Sequence, residues 1–536
     1  MSERRRCYRG TVRRHRRQED RMISAHDQLR RVYEEVPYLG VADPESHVRC
    51  LRALAAVHGI PSADARNCRV LELGCAAGRN LIPQAAEYPD SRFVGADFSA
   101  PQVDDGHAVI AELGLGNIEL RHAGIEQVDA SWGQFDYILC LGVFSWVPLD
   151  LQSRLLSICR DNLAPHGVAL VSFNTYPGWH QRTMVRDLLR YHVAAFADRR
   201  QQIAEARALL DFVAANSSAP TIQGRVFQSE REHLRSVRDD YLFHEYLVDD
   251  NHPQYLHEFV RQAEAAGLQF VTDAELWRMS GAFMPAAVQP VLANTPLLQR
   301  CQLLDFLRNE TFHKTLLCHQ QVRLQRDWDL DTLQPFFLSL AQKPKPVALE
   351  IDNVQPVGIE FPFGAMTVSQ PLGKAAIKHL IDVYPAAVSL EQLHAGTLAA
   401  LPPNLRAQAE SEGDSRNLLA QSMLDALRAG LLKIYAEPPR FCDRVSSRPC
   451  VTPLARSLAA RGNPLVSQRH DNVKLDPLQA FLTPLLDGTR DISALVEVVE
   501  QAIADGRLTP SAGNPPASEA VEIALSQLCG AVLLVG

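Results

Sequence analysis

From Arg69 onward, short apolar runs alternate with amphipathic stretches, and this alternation restricts the fold more than any other feature of the sequence. Strands that are separated by single helices run parallel, and right-handed crossovers then place the helices on both faces of one sheet. We predict strands at 69–73, 92–96, 118–122, 137–141 and 168–173, with helices at 79–88, 100–113 and 151–163. The alternation therefore predicts a doubly wound α/β domain.

The chain of 536 residues is long enough for three or four folding units. The segments 422–435 and 522–536 share a helix, a glycine and an apolar run, a pattern typical of winged-helix units. The predicted organisation is a basic disordered tail (1–21), a helical N-terminal segment (22–66), the α/β domain (67–280) with a helical insertion (178–245), a helical middle region (281–345), and two winged-helix-like units (346–440 and 441–536).

Composition excludes several classes of protein. With 46% hydrophobic and 22% charged residues the chain is globular, and no apolar stretch approaches the roughly 18 residues that a membrane helix needs. Eleven cysteines without a CxxC pair favour a reduced, cytoplasmic protein. Residues 1–21 carry a net charge of +6, which leaves −14 on the rest. A nucleic-acid-binding arm and an organellar transit peptide are the alternatives to a disordered tail, but the acidic remainder disfavours a nucleic-acid partner.

The strongest local signal is "VLELGCAAGRNL" at 70–81, in which a strand containing Glu72 leads into a GxAxG turn and a helix. Glycine has no Cβ, so Gly74 and Gly78 let the backbone turn sharply while a ligand approaches it. The dinucleotide-binding fingerprint GxGxxG is one residue longer and holds a pyrophosphate. The shorter loop therefore favours a ligand without phosphates.

The next strand strengthens this interpretation, because "FVGADFS" at 93–99 places Asp97 at its carboxyl end. A carboxylate at this position can accept two hydrogen bonds from a ribose diol. The neighbouring Phe98 can lie along an adenine face. Together the loop and Asp97 predict a nucleoside ligand.

These motifs resemble those of the class I S-adenosylmethionine-dependent methyltransferases, in which an acidic residue precedes GxGxG. Ala76 replaces the middle glycine, which is tolerated if its φ is negative, and Gly124 stands where many members carry an Asp that contacts adenine. Adenine recognition then falls to backbone groups of Gly124 and Ile125. The resemblance implies S-adenosyl-L-methionine as the cofactor. The binding residues that it implies are Glu72, Gly74, Cys75, Ala76, Gly78, Asn80, Asp97, Phe98, Gly124, Ile125 and Leu141.

Further motifs narrow the resemblance. "YEEVPY" at 33–38, "GVFSWVP" at 142–148, "NTYPGWH" at 174–180 and "HEYL" at 244–247 are similar to bacterial proteins that join this fold to a methyltransferase regulatory domain, among them the rickettsial protein lysine methyltransferases. The similarity runs from Tyr33 to about His319 and implies a regulatory region at about 220–300. The expected fold class is a Rossmann-like class I methyltransferase domain with a helical insertion, followed by helical and winged-helix-like α+β carboxyl-terminal regions.

Aromatic residues indicate a substrate channel. Segments 135–148 and 168–180 hold seven aromatics, against 7% for the whole chain, and both follow strands at the edge where α/β sheets bind ligands. Aromatic faces attract a sulfonium or an amine cation. The predicted channel residues are Phe144, Trp146, Asn174 and Trp179. The candidates to accept or relay a proton from the methyl acceptor are Tyr38, Tyr176 and His180.

We predict an S-adenosylmethionine-dependent methyltransferase that acts on a protein side chain, with lysine favoured. The alternatives are a small-molecule O- or N-methyltransferase and a non-catalytic S-adenosylmethionine-binding protein. We expect no metal site, because His313, Cys318 and His319 fall on a predicted helix without a fourth ligand. We expect a protein substrate as partner and allow for a homodimer, and we expect neither a membrane nor a nucleic acid as partner.

Overall fold

The structure, a computed structural model, describes residues 33–218, 220–362, 364–411, 413–509 and 515–535. The predicted tail (1–21) and the first part of the predicted N-terminal segment (22–32) lie outside these residues. The remainder of that segment contains one α-helix, α1 (Val48–Val57), which begins after His47. Gly59 follows the helix with a φ of 77°, a left-handed backbone conformation that glycine adopts without strain.

A seven-stranded sheet forms the centre of the molecule, with the strand order β3-β2-β1-β4-β5-β7-β6. Strands β1 to β5 pair in parallel, and β7 is antiparallel to both of its neighbours. The strands are β1 (Arg69–Leu73), β2 (Arg92–Asp97), β3 (Ile118–His122), β4 (Phe135–Cys140), β5 (Leu163–Asn174), β6 (Leu268–Asp273) and β7 (Phe312–His319). The predicted doubly wound α/β fold is confirmed.

Helices cover both faces of this sheet, as parallel strands require. The crossover helices are α2 (Leu81–Glu87), α3 (Ala100–Leu113) and α4 (Leu149–Asp161). Successive residues of β1 enter different cores: Val70 packs in the cluster that holds α1, α2 and α3, whereas Leu71 packs in the cluster that holds α4. Both side chains are fully buried. The carboxyl ends of the strands thus open at one edge, between the two helical layers.

A small helical layer with its own core is inserted between β5 and β6. It consists of α5 (Gly178–Val193), α6 (Arg199–Asn216), α7 (Ile222–Ser236), the short α8 (Asp239–Leu242) and a π-helix (Phe243–Leu247). Its apolar cluster includes Val185, Leu189, Ile203, Leu210, Leu234 and Phe243. Helix α9 (Leu256–Ala265) then leads back to β6.

The prediction of a helical middle region at 281–345 is wrong in part, because this region also contains strands. Helices α10 (Gln289–Ala293) and α11 (Leu297–Arg308) are present, but they are followed by β7 and by β8 (Phe337–Leu340). Strand β7 lies between β5 and β6 and buries Leu316 and Leu317 on its two faces. A strand that is buried on both faces lacks apolar–polar alternation, so its sequence pattern does not distinguish it from a buried helix.

The carboxyl-terminal regions are mainly helical, with short strands. The first contains β9 (Val357–Phe361), β10 (Gly364–Val368), α12 (Pro371–Val383), β11 (Val388–Ser389), α13 (Leu390–Ala400), α14 (Pro403–Ser411), α15 (Ser415–Arg428) and β12 (Leu432–Tyr435). The second contains α16 (Pro453–Ala460), β13 (Leu465–Val466), β14 (Asn472–Val473), α17 (Pro477–Leu482), α18 (Ile492–Ala504) and α19 (Ala517–Gly530). Strand β8 pairs with both β11 and β12, so the first unit draws a strand from the middle region. None of the helices in the described ranges is long and apolar enough to cross a membrane.

A mostly buried ionic cluster joins three distant parts of the chain. Lys314 of β7 contacts Asp43 at 2.5 Å and Glu45 at 2.9 Å, and Lys433 of β12 contacts Glu45 at 2.6 Å. Burial alone would raise the pKa of Glu45, but the two ammonium groups hold it below its usual value. The cluster therefore fixes the segment before α1 against both the central sheet and the first carboxyl-terminal unit.

His313 has a structural role in the sheet, where it lies on β7 and not on a helix as predicted. Its ring bonds to Asp273 of β6 at 2.9 Å and to Asp305 of α11 at 3.1 Å. Burial alone would lower the pKa of His313, but these two carboxylates raise it to about 10. The imidazolium thus supplies one positive charge between two buried acids and reduces the repulsion between them.

The variant His313→Gln tests this role. We expect it to lower the free energy of unfolding by about 3–5 kcal/mol, because two buried carboxylates lose their counter-charge. A histidine whose pKa rises from about 6.5 to about 10 on folding stabilises most below pH 6.5, and this contribution disappears as the pH rises through 10. The gap in thermal midpoint between wild type and variant should therefore narrow from pH 6.5 to pH 10. His319→Gln on the same strand is the control, and a constant gap would contradict the role.

Candidate functional site

The turn after β1 has three left-handed residues in alternation. The φ angles are 75° at Gly74, 48° at Ala76 and 70° at Gly78. The condition under which Ala76 is tolerated without strain, a negative φ, is therefore not met, and this alanine adopts a conformation that costs about 1–2 kcal/mol relative to the right-handed region. Its N–H group donates to Asp97 Oδ2 at 2.8 Å, which holds the turn in this shape. The strained backbone is thus tied to the end of the neighbouring strand.

Glu72 places one unpaired carboxylate oxygen in the site. Its side chain is buried, and Oε1 accepts a hydrogen bond from the Asn80 amide at 2.9 Å. Oε2 has no hydrogen-bond partner among the described residues. Burial raises the pKa of Glu72 to about 8, the Asn80 amide opposes this rise, and the charges of Asp43 and Asp97 add to it. A buried, unpaired carboxyl group of this kind is suited to bind a cation.

Asp97 lies at the carboxyl end of β2 and accepts two backbone hydrogen bonds, from Ala76 and from Ser99, each at 2.8 Å. Each of its oxygens keeps a lone pair, so the arrangement still allows a diol to donate to it. Burial raises the pKa of Asp97, whereas the two N–H groups oppose the rise. Phe98 is half-buried next to it, with the Tyr33 ring against its edge at 5.5 Å.

The turn after β3 differs from what was expected. The Gly124 N–H group donates to Gln127 Oε1 at 2.7 Å, so in this conformation it is engaged within the protein. Glu126 lines the same cavity, and its carboxylate lies so close to Gly124 that an added Cβ would collide with it. Sequence reasoning missed Glu126. It places an acidic side chain in the cavity lining two residues after Gly124.

These residues surround a cavity of about 430 Å³ at the carboxyl edge of the sheet. Of the residues predicted to bind the cofactor, those that line it are Glu72, Gly74, Cys75, Ala76, Asn80, Asp97, Phe98, Gly124, Ile125 and Leu141. Gly78 shapes the turn from outside the lining. Among the predicted channel and catalytic residues, Tyr38, Trp146 and Asn174 also line the cavity.

The other predicted channel and catalytic residues lie elsewhere. Phe144 is buried in the core against Phe259, with ring centroids 5.1 Å apart. Trp179 is buried behind Trp146 at 5.9 Å. Tyr176 and His180 stack on each other at 4.1 Å outside the cavity lining, with His180 exposed to solvent. The structure therefore does not bring Phe144, Trp179, Tyr176 or His180 into the cavity.

A second group of lining residues comes from the helical insertion and the N-terminal segment. It consists of Tyr33, Tyr38, Arg182, Tyr241, His244 and Glu245. Burial raises the pKa of Glu245 to about 7, although Arg182 and Arg186 pull it down. These arginines lie over the Trp179 and Trp146 rings at 5.6 and 5.7 Å. The two tryptophans thus support the residues around Glu245. "HEYL" flagged this segment, but no pattern in the sequence assigned Glu245 a role.

Three family models match separate parts of the chain. They are described as a methyltransferase domain (residues 70–167), a predicted methyltransferase regulatory domain (238–319), and a PKMT, C-terminal winged helix domain (447–534). The last match lies inside the second winged-helix-like unit predicted at 441–536.

One curated relative and one solved structure cover about nine-tenths of the chain. The uncharacterized protein RP789 of Rickettsia prowazekii is 30% identical over 490 residues, which are 89% of this chain and 87% of RP789. A second uncharacterized protein of that organism, RP028, is 31% identical over 43% of this chain and 93% of its own length. The solved structure of PKMT2 from Rickettsia typhi in complex with AdoHcy superposes with a TM-score of 0.82 at 25% identity, and the match covers 93% of this chain and all of that one.

The cavity at the carboxyl edge of the sheet, the unpaired Glu72 oxygen and the left-handed turn all fit S-adenosylmethionine. The domain order agrees with that of the relatives over most of the chain. The chain therefore belongs to the S-adenosylmethionine-dependent methyltransferases that combine a class I methyltransferase domain with a methyltransferase regulatory domain and a PKMT winged-helix domain, the family that includes PKMT2 of Rickettsia typhi.

Proposed function

We propose that this methyltransferase modifies an amine on a protein side chain, and that the amine belongs to lysine. The observation that carries the proposal is Glu245, a carboxyl that lines the cofactor cavity among Tyr33, Tyr38 and Tyr241. A carboxylate between aromatic rings attracts an ammonium group through both its charge and the ring faces. The class name of PKMT2 from Rickettsia typhi, protein lysine methyltransferase, supports the same acceptor.

Lysine must lose a proton before it can accept a methyl group. S-adenosylmethionine supplies that methyl group on a positively charged sulfur. Because the lysine side chain in water has a pKa of about 10.4, its neutral form costs roughly 4.6 kcal/mol at pH 7. Surroundings that are poor in water lower this cost, because they disfavour the ammonium form. Glu245, with a pKa of about 7, is suited to take the proton at neutral pH.

Cavity size also favours a slender acceptor. The volume of about 430 Å³ must hold the cofactor as well as the group to be methylated. Lysine reaches its amine through an unbranched four-carbon stem, which needs little width. A protein substrate can then remain outside the cavity while one side chain enters it.

Labelling identifies the acceptor directly. The protein is incubated with S-adenosylmethionine that carries a labelled methyl group and with a bacterial lysate, and macromolecules are separated from small molecules. We expect the label in protein, and mass spectrometry of digested peptides should place it on lysine. Label that is confined to the small-molecule fraction would favour a small-molecule O- or N-methyltransferase, and no transfer would favour a non-catalytic binding protein.

The variant Glu245→Gln tests the proton acceptor. We expect kcat to fall about a hundredfold, the lower range for loss of general-base catalysis, while the affinity for the cofactor changes less than about threefold. In wild type kcat should decline below pH 7 as Glu245 becomes protonated, and the variant should lack this decline. Glu232→Gln, an equal charge change on an exposed position of α7, is the control. An unchanged pH profile in Glu245→Gln would rule out this role.

The number of protons released when the cofactor binds tests whether Glu72 holds its amino group. Because its pKa is about 8, Glu72 is mainly protonated at pH 7, and it must ionise to bind the amino group of the cofactor as a cation. Binding of S-adenosylhomocysteine at pH 7 should therefore release about one proton, and affinity should rise as the pH approaches 8. Calorimetry in two buffers of different ionisation enthalpy measures the release. Glu72→Gln should release none and Glu245→Gln should behave as wild type; equal release from wild type and Glu72→Gln would refute the assignment.

A further inference from the structure

Two segments outside the α/β domain contact Asn80, which lines the cofactor cavity. One is the segment before α1, and the other is a turn in the second carboxyl-terminal unit. His470 belongs to the turn between β13 and β14 of the second carboxyl-terminal unit, and its Nε2 lies 2.8 Å from Asn80 Oδ1. The same oxygen accepts the Asp43 N–H and the Ser46 hydroxyl, each at 3.0 Å. Asn80 and His470 are 4% and 2% exposed, so these bonds are shielded from water.

The donor and the acceptor of each of these hydrogen bonds can be assigned. A backbone N–H can only donate, so the Asn80 atom that faces Asp43 must be the carbonyl oxygen, and the amide nitrogen must face Glu72. His470 must then carry its proton on Nε2 and donate it. Burial, together with His47 and Arg49, holds the pKa of His470 well below its usual value, which keeps the ring neutral. His470 therefore donates a hydrogen bond to Asn80, and Asn80 donates one to Glu72.

The turn that presents His470 is held in place. The φ of His470 is 68°, an uncommon conformation for a residue other than glycine, and its N–H donates to Ser467 O at 2.8 Å. Two residues later, the Asn472 amide bonds to both backbone groups of Ala42, at 3.0 and 2.7 Å. The turn is thus docked against the segment that precedes α1, and it places the imidazole toward Asn80.

We propose that the carboxyl-terminal winged-helix domain supplies His470 as a positioning residue of the cofactor site. His470 holds the Asn80 amide, and Asn80 holds Glu72 by Oε1, so that Oε2 stays directed at the cationic amino group of the cofactor. Cofactor affinity then depends on the docking of this domain, and by linkage the bound cofactor strengthens the docking. The inference concerns cofactor binding alone and does not rest on the identity of the methyl acceptor.

Two ligands separate this role from a general structural one. S-adenosylhomocysteine carries the amino acid part that Glu72 would bind, whereas methylthioadenosine lacks it. His470→Phe keeps a ring of similar size but cannot donate to Asn80. By calorimetry on the full chain, we expect it to weaken S-adenosylhomocysteine about tenfold and methylthioadenosine less than about twofold. His470→Gln, which keeps an N–H donor, should regain most of the lost affinity.

His470→Asn is a second variant that controls for disturbance of the turn by phenylalanine. Asparagine tolerates left-handed backbone, so His470→Asn should preserve the turn, but its side chain is too short to reach Asn80. We expect it to show the same preferential loss of S-adenosylhomocysteine. Arg461→Ala is the control: it removes the 2.6 Å ion pair between Arg461, the residue after α16, and Glu112 of α3. Both side chains are exposed, so this pair contributes little to docking, and the variant should leave both affinities unchanged.

A double mutant tests whether the effect passes through Asn80. If it does, His470→Phe should change affinity no further in an Asn80→Ala background, because the contact that transmits the effect is already gone. Additive losses would overturn the proposal. So would equal losses of both ligands in His470→Phe and His470→Asn, or unchanged affinity for both ligands in these two variants.

Discussion

The position of the segment before α1 depends on buried charges. Asp43 and Glu45 share the ammonium groups of Lys314 and Lys433, which belong to the central sheet and to the first carboxyl-terminal unit. Removal of one partner from such a cluster typically costs about 3–5 kcal/mol, since the remaining charges stay buried without compensation. Asp43 also lines the cofactor cavity and donates its N–H to Asn80. The wall of the cavity is therefore anchored by residues almost 400 positions apart in sequence.

The sequence predicted the elements that local patterns define. Strands β1 to β5 were recognised because short apolar runs alternate with amphipathic stretches, and Glu72 and Asp97 because they lie at the carboxyl ends of consecutive strands. Strand β7 was missed because "FHKTLLCH" is buried on both faces, and its two charged residues are neutralised by partners distant in sequence. The φ of Ala76 could not be inferred, because it depends on the hydrogen bond to Asp97. Glu245, Arg182 and His470 were missed for the same reason: only the tertiary fold brings them to the site.

Tyr176 and His180 show the limit of reasoning from strand ends. Asn174, the last residue of β5, lines the cavity as expected. The Thr175 and Gly178 N–H groups, however, bond to backbone oxygens of Thr311 and Glu310, and this pairing leaves Tyr176 and His180 outside the lining. The aromatic side chains that follow β5 are therefore led outside the lining. Position after a strand identifies the correct edge of the sheet, but the backbone hydrogen bonds of the next few residues decide which side chains enter the site.

Different parts of the chain form the two sides of the cavity. Residues that suit the cofactor come from the ends of β1 and β2 and from the turns after them, whereas Arg182, Tyr241 and Glu245 come from the inserted helical layer. This layer has its own apolar core, so substitutions within it need not disturb the sheet. Under the proposed function this layer forms the acceptor side of the cavity, and substitutions there can leave the cofactor side unchanged. The winged-helix domain contacts the cofactor side through the hydrogen bond from His470 to Asn80. If His470 positions Asn80 as proposed, docking of this domain is a condition for cofactor binding rather than for the choice of acceptor.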